Sequence, residues 1–126
     1  MIQLLTADQI RRIHDRVLFE GELRGEYKER PVEAILGRIE NRINYGIQVN
    51  DLFDIAGCYG AFIAIAHAFV DGNKRTAFRT VAAFMGLNGL RVEFGRPDQD
   101  PFFDLIIRCA TNASDEVQLA EHLRAR

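Results

Sequence analysis

The sequence predicts an all-α fold, a small bundle of about six helices, and three observations carry that reading. Apolar residues recur at three- and four-residue spacing in successive segments. One segment, Leu52 to Ala66, is apolar nearly all round, as a helix enclosed by others must be. No alternating pattern runs long enough to build a sheet.

The elements follow in order. Thr6 and Gln9 have the spacing of a capping box, and Ile10, Ile13, Val17 and Leu18 mark one face of a first helix that Gly21 stops. Gly21 to Arg30 carries two glycines, many charges and no apolar period, which suits an exposed loop or flap. Pro31 fits the first position of a second helix, faced by Val32, Ile35, Leu36, Ile39 and Ile43 and ending near Gly46. Asn50 and Asp51 start the buried helix, whose one charged residue is Asp54. A fourth helix spans about Asn73 to Asn88, with Ala77, Phe78, Val81, Phe84 and Met85 inward and Gly89 as its stop. Val92 to Phe94 reads as briefly extended. Asp100-Pro101 opens a fifth helix carrying Phe102, Leu105, Ile106 and Cys109, and Ser114 caps a sixth carrying Val117, Ala120 and Leu123.

Composition limits the function classes. At 126 residues and 48% hydrophobic content the chain suits a single domain, 1–126, with one core. Lys plus Arg number 16 against 18 acidic residues, a net charge of -2, so bulk electrostatics does not favour direct contact with nucleic acid. The longest stretch free of charged side chains, Ile55 to Val70, falls short of the roughly 20 apolar residues of a membrane span. The start Met1-Ile2-Gln3-Leu4-Leu5 lacks the pattern of a secretory signal, and a cytoplasmic protein is expected. Cys58 and Cys109 stand far apart in apolar helical surroundings and read as small core residues.

Local rules fail at one place, the start of the fourth helix. Cations in a first turn cost roughly 0.3 to 1 kcal/mol each, yet Lys74 and Arg75 sit there side by side and Arg79 follows Arg75 at a repulsive i+4 spacing. No acidic residue lies between Asp71 and Glu93, so the expected partner is an external anion. Gly72 permits a tight turn, and amides from Gly72 through Arg75, Asn73 included, can converge on a phosphate. A Walker A loop is absent. Asp71 suits either a magnesium ligand or a helix cap, and the two roles are compatible. His67, just upstream, is either a structural histidine or a base able to take a proton from a hydroxyl. His14 and His122 lack such sequence neighbours and read as structural.

His67-Ala68-Phe69-Val70-Asp71-Gly72-Asn73-Lys74-Arg75 resembles the Fic/Doc signature H-P-F-x-[DE]-G-N-[GK]-R, with Ala68 in place of Pro as its one departure. The resemblance extends over nearly the whole chain, through the opening helix, the charged flap, PVEAILGRIENRI, the buried helix and the Asn88-Gly89 pair. It implies the Fic/Doc fold, with the active-site loop between the central and following helices. It implies His67 as general base, Asp71 as the magnesium site, and Phe69, Gly72, Asn73, Lys74, Arg75 and Arg79 around the nucleotide phosphates. Lys74 resembles the death-on-curing branch, toxins that phosphorylate a threonine of elongation factor Tu with ATP and so arrest translation; Gly at that position accompanies AMP transfer. The resemblance further implies a cognate antitoxin of the prevent-host-death type, binding through its C-terminal segment. The alternatives left open are AMP transfer to a protein hydroxyl and a non-catalytic module that binds an antitoxin.

Overall fold

In a computed structural model describing residues 1–126, six α-helices follow one another: α1 (Ala7–Val17), α2 (Val32–Tyr45), α3 (Leu52–Ala66), α4 (Asn73–Leu87), α5 (Pro101–Ala110) and α6 (Glu116–Arg124). A short 3-10 turn, Pro97–Gln99, precedes α5. The all-α expectation therefore holds, with a single isolated antiparallel bridge, between Glu26 and Phe69, as the only β pairing.

The apolar circumference of α3 explains the architecture. A helix without a polar face gains nothing from solvent, and α3 is enclosed by α2, α4, α5 and α6, with every residue from Ile55 to Ala64 buried. Close approach to α6 depends on Gly57: a Cβ there would lie 2.4 Å from the Glu116 carbonyl oxygen. The other helices present single stripes, Ile10 and His14 from α1, Val32, Ile35 and Ile39 from α2, and Ala77, Phe78, Val81, Phe84 and Met85 from α4. Phe78 meets Phe94, Phe102 and Phe103 at centroid distances of 5.7–6.2 Å, which locks α4 to α5 and to the segment before it. Tyr59 packs on Phe84, and its hydroxyl accepts from the Leu5 amide at 3.0 Å, fastening the N-terminal segment to the core.

Most helix boundaries follow from side-chain caps. Thr6 and Gln9 form the expected capping box, Asp51 and Asp54 form another, and Asp100 caps α5. Three expectations need correction. Pro31 is the N-cap of α2 and lies outside it, because its ψ of 152° is extended; the first helical amide, of Val32, donates to Glu26 at 3.2 Å. The cap of α6 is Asp115, which accepts from the Gln118 amide at 3.0 Å, while the Ser114 hydroxyl donates to the Gln118 side chain. Consequently the phase of α6 turns Val117 to solvent and Leu119, Ala120 and Leu123 inward. Val92 to Phe94 is irregular: Val92 and Phe94 pack on the core, but the segment has no strand partner. The two thiols are buried and unbridged, and burial pushes each up to about 11, which removes both as nucleophiles at neutral pH.

Candidate active site

The end of α3 and the start of α4 are joined by six residues, and both junctions use left-handed backbone. His67 terminates α3 at φ 49° and ψ 48°. A non-glycine residue there is uncommon and concentrated at functional sites, although histidine tolerates it better than most. Gly72 is the N-cap of α4 at φ 84°, where it needs no Cβ; an added one would stand 3.1 Å from Leu18. Gly72 offers no side chain to cap the helix and α4 has no acidic residue in its first turn. The first intrahelical bond runs from the Thr76 amide to the Gly72 carbonyl, which leaves the amides of the first turn free for a ligand at the positive end of the helix.

The loop is held from three sides. Within it, the Asn73 carboxamide accepts from the Phe69 amide at 3.1 Å and donates to the Phe69 carbonyl at 2.8 Å. From α1, His14 lies 1% exposed beneath the loop, its ring stacked on Phe69 at 3.7 Å and its Nε2 2.6 Å from the Asp71 carbonyl oxygen. From the flap, Tyr27 N–H donates to the Ala68 carbonyl and Val70 N–H to the Gly25 carbonyl, both at 2.8 Å. Gly21 to Arg30 is therefore exposed as expected but pinned at its middle. Arg11 holds it there, bidentate to Glu26 and bonded also to Glu33 and Asp8. These bonds hold the Glu26 carboxyl below the usual carboxylate range.

Two of the expected phosphate-binding residues make internal contacts here. The Phe69 ring is buried against His14. Both polar ends of the Asn73 side chain bond to the Phe69 backbone, which leaves its own backbone amide for an anion.

The electrostatic expectation is half met. Arg75 has an internal partner: its guanidinium lies 2.6 Å from Glu22 Oε2, donates to the Val17 carbonyl, and covers the Phe19 ring at 3.9 Å. The Arg75 side chain, with the Phe19 amide, holds the Glu22 carboxyl below its ordinary value. The acid that offsets Arg75 thus comes from 53 residues upstream, out of reach of a helical-spacing argument. Lys74 and Arg79 are exposed and have no acidic partner. Arg75 and Arg79 line a cavity of about 660 Å³ together with Arg16, Arg96, Phe19 and Phe103. Anionic groups entering it would meet arginines on several sides.

Asp71 accepts from the Leu23 amide on Oδ2 at 2.8 Å. No group of three or more His, Cys, Asp or Glu side chains surrounds it, so the chain holds no self-sufficient metal cage. A lone carboxylate beside open helix amides fits magnesium, which takes one or two carboxylates and completes its shell with phosphate oxygens and water. The donor set fits a magnesium nucleotide better than a resident metal.

Comparison with known proteins gives the family. The profile of the Fic/DOC family matches residues 4–85, which include the first three helices, the whole of the loop and all but the last two residues of α4. The chain belongs to the Fic/DOC family. It is 31% identical over 121 residues to the protein named "Protein kinase doc" of Escherichia phage P1, an alignment covering 95% of this chain and 92% of that protein. The matched residues include the His67 to Arg75 segment, which the fold sets between a buried helix and one without a side-chain cap.

Sequence reasoning missed two residues of this site. His14 carried a signal, since it follows Ile10 by four residues on the face that α1 buries, and a polar ring on such a face needs a partner. Glu22 carried a weaker one: the flap is rich in acids near the chain's most crowded cations, but nothing in the sequence fixes which acid faces which.

Proposed function

We propose that the protein is the toxin of a toxin–antitoxin module and transfers the γ-phosphoryl group of ATP to a hydroxyl, a threonine, of a translation protein, with elongation factor Tu as the expected target. The observation that carries this is the juxtaposition, within one clamped loop, of a histidine held in left-handed backbone and a helix start that lacks any side-chain cap. The name of the phage P1 relative supports the kinase reading, as does Lys74, which stands where the family signature takes Gly or Lys.

The roles follow from the chemistry. The first-turn amides and Arg75, once released from Glu22, bind phosphate oxygens, and Lys74 and Arg79 add positive charge. Asp71 would hold magnesium, which neutralises phosphate charge in such reactions. His67 takes the proton as the threonine oxygen bonds to the γ-phosphorus and the bond from that phosphorus to the bridging oxygen breaks, leaving ADP. General-base catalysis of this kind contributes about 10²- to 10⁴-fold. The cognate antitoxin, of the prevent-host-death type, blocks the reaction through its C-terminal segment.

The test is the intact mass of purified elongation factor Tu after incubation with the protein, ATP and magnesium. A gain of one phosphate that is lost in His67→Ala supports the proposal. A gain of AMP transfers the protein to the nucleotidyl branch of the chemistry, and an unchanged mass rejects elongation factor Tu as substrate.

A further inference from the structure

We infer that His14 is a positioning residue of this site: it locks the Asp71–Gly72 peptide so that the Gly72 amide joins the anion-binding amides of α4. The inference deepens the proposed phosphate-handling role of the loop and rests on it. Three contacts carry it. His14 Nε2 is 2.6 Å from the Asp71 carbonyl oxygen, its ring stacks on Phe69 with planes 9° apart, and a Cβ on Gly72 would stand 3.6 Å from it. A carbonyl oxygen only accepts, so Nε2 must carry the hydrogen and donate.

That bond fixes more than one atom. The Asp71–Gly72 peptide is trans, and in a planar trans unit the C=O and N–H point in opposite directions. With the carbonyl tied down to α1, the Gly72 N–H is turned away from His14. Glycine makes this constraint necessary. A residue free of Cβ at φ 84° tolerates rotation of the preceding peptide at little steric cost, so the backbone alone does not select one orientation. His14 selects it, and does so while buried and held by the stack, so the donor cannot drift.

Side-chain geometry explains why a histidine stands there. The stack requires a flat ring, and the carbonyl requires a donor on its far edge. Phenylalanine supplies only the first and glutamine only the second, which provides the experiment.

His14→Phe and His14→Gln are compared with the unaltered protein in three measurements: thermal unfolding, inorganic phosphate affinity read from the Gly72 and Asn73 amide resonances, and kcat and KM for phosphoryl transfer. His14→Phe is expected to remain folded, to bind phosphate about tenfold more weakly, and to lose kcat at saturating nucleotide. His14→Gln is expected to recover phosphate affinity to within about threefold, whatever stability it loses with the stack. The inference is overturned if His14→Phe binds phosphate like the unaltered protein, or if the two variants lose affinity in proportion to their loss of stability. Should the unaltered protein bind phosphate but transfer none, the proposed function fails while the phosphate comparison still decides the role of His14. Should it bind no phosphate, both fail.

Discussion

The helix starts of α3 and α4 lie on the same pair of packed helices and are built in opposite ways. At α3, Asp51 and Asp54 form a reciprocal capping box, and Arg124 donates to both carboxylates at 3.0 Å, which holds Asp51 below the usual carboxylate range. Negative side chains thus answer the positive end of the helix from within the chain. At α4 the cap is a glycine, the first turn carries Lys74 and Arg75, and no side chain takes the free amides. The same backbone problem is solved locally at one end and left for a ligand at the other. Cap and charge are worth about 1 kcal/mol apiece, so the chain forgoes a modest stability at α4, which the proposed anion site would explain.

That contrast can be broken by experiment. The largest effect is expected from His67→Ala, which should lower phosphoryl transfer by about 10²- to 10⁴-fold while leaving inorganic phosphate binding at α4 intact; initial rates and amide titrations check both halves. Next is Gly72→Ala. It forces a Cβ into left-handed backbone, 3.1 Å from Leu18, and should destabilise the fold by about 1–2 kcal/mol in urea unfolding as well as weaken phosphate binding. Asp51→Ala should cost about 1 kcal/mol of stability through the lost cap and leave transfer unchanged, because α3 begins at the opposite end from His67.

A finer comparison uses inorganic phosphate and acid. Phosphate should shift the amides of Asn73, Lys74 and Arg75 and leave those of Leu52, Phe53 and Asp54 unmoved; equal shifts at both helix starts would erase the distinction. On acidification, Glu22 and Asp51 both have folded values below their unfolded ones, so their contributions are complete at neutral pH and are lost as pH falls through the folded values. Asp100 behaves in the same sense: burial raises it, but Arg126 and the amides of Phe102 and Gly95 outweigh that and bring it to about 2, so the tie between Arg126 and α5 should persist until the pH falls to about that value. Carboxyl resonances followed from pH 7 downward check all three.

The sequence by itself determined the helices, the identity of the buried one and the family signature. Each of these is written in short-range terms: apolar spacing for α1, α2, α4 and α5, an unbroken apolar circumference for α3, and a contiguous motif for the loop. Boundaries were legible where a cap is a side chain, as at Thr6, Asp51 and Asp100, and slipped by one residue at Pro31, where no side chain marks the start, and at Ser114, beside the capping Asp115. Tertiary structure alone decided who answers whom. Glu22 reaches Arg75 across 53 positions, His14 reaches Asp71 across 57, and Arg11 fastens the flap through Glu26 and α2 through Glu33. It also showed that the Phe69 ring and the Asn73 side chain brace the loop from within. The physical reason is that helix periodicity reports which face of a segment is buried but not which atoms meet it there, and hydrogen bonds and ion pairs depend on that meeting.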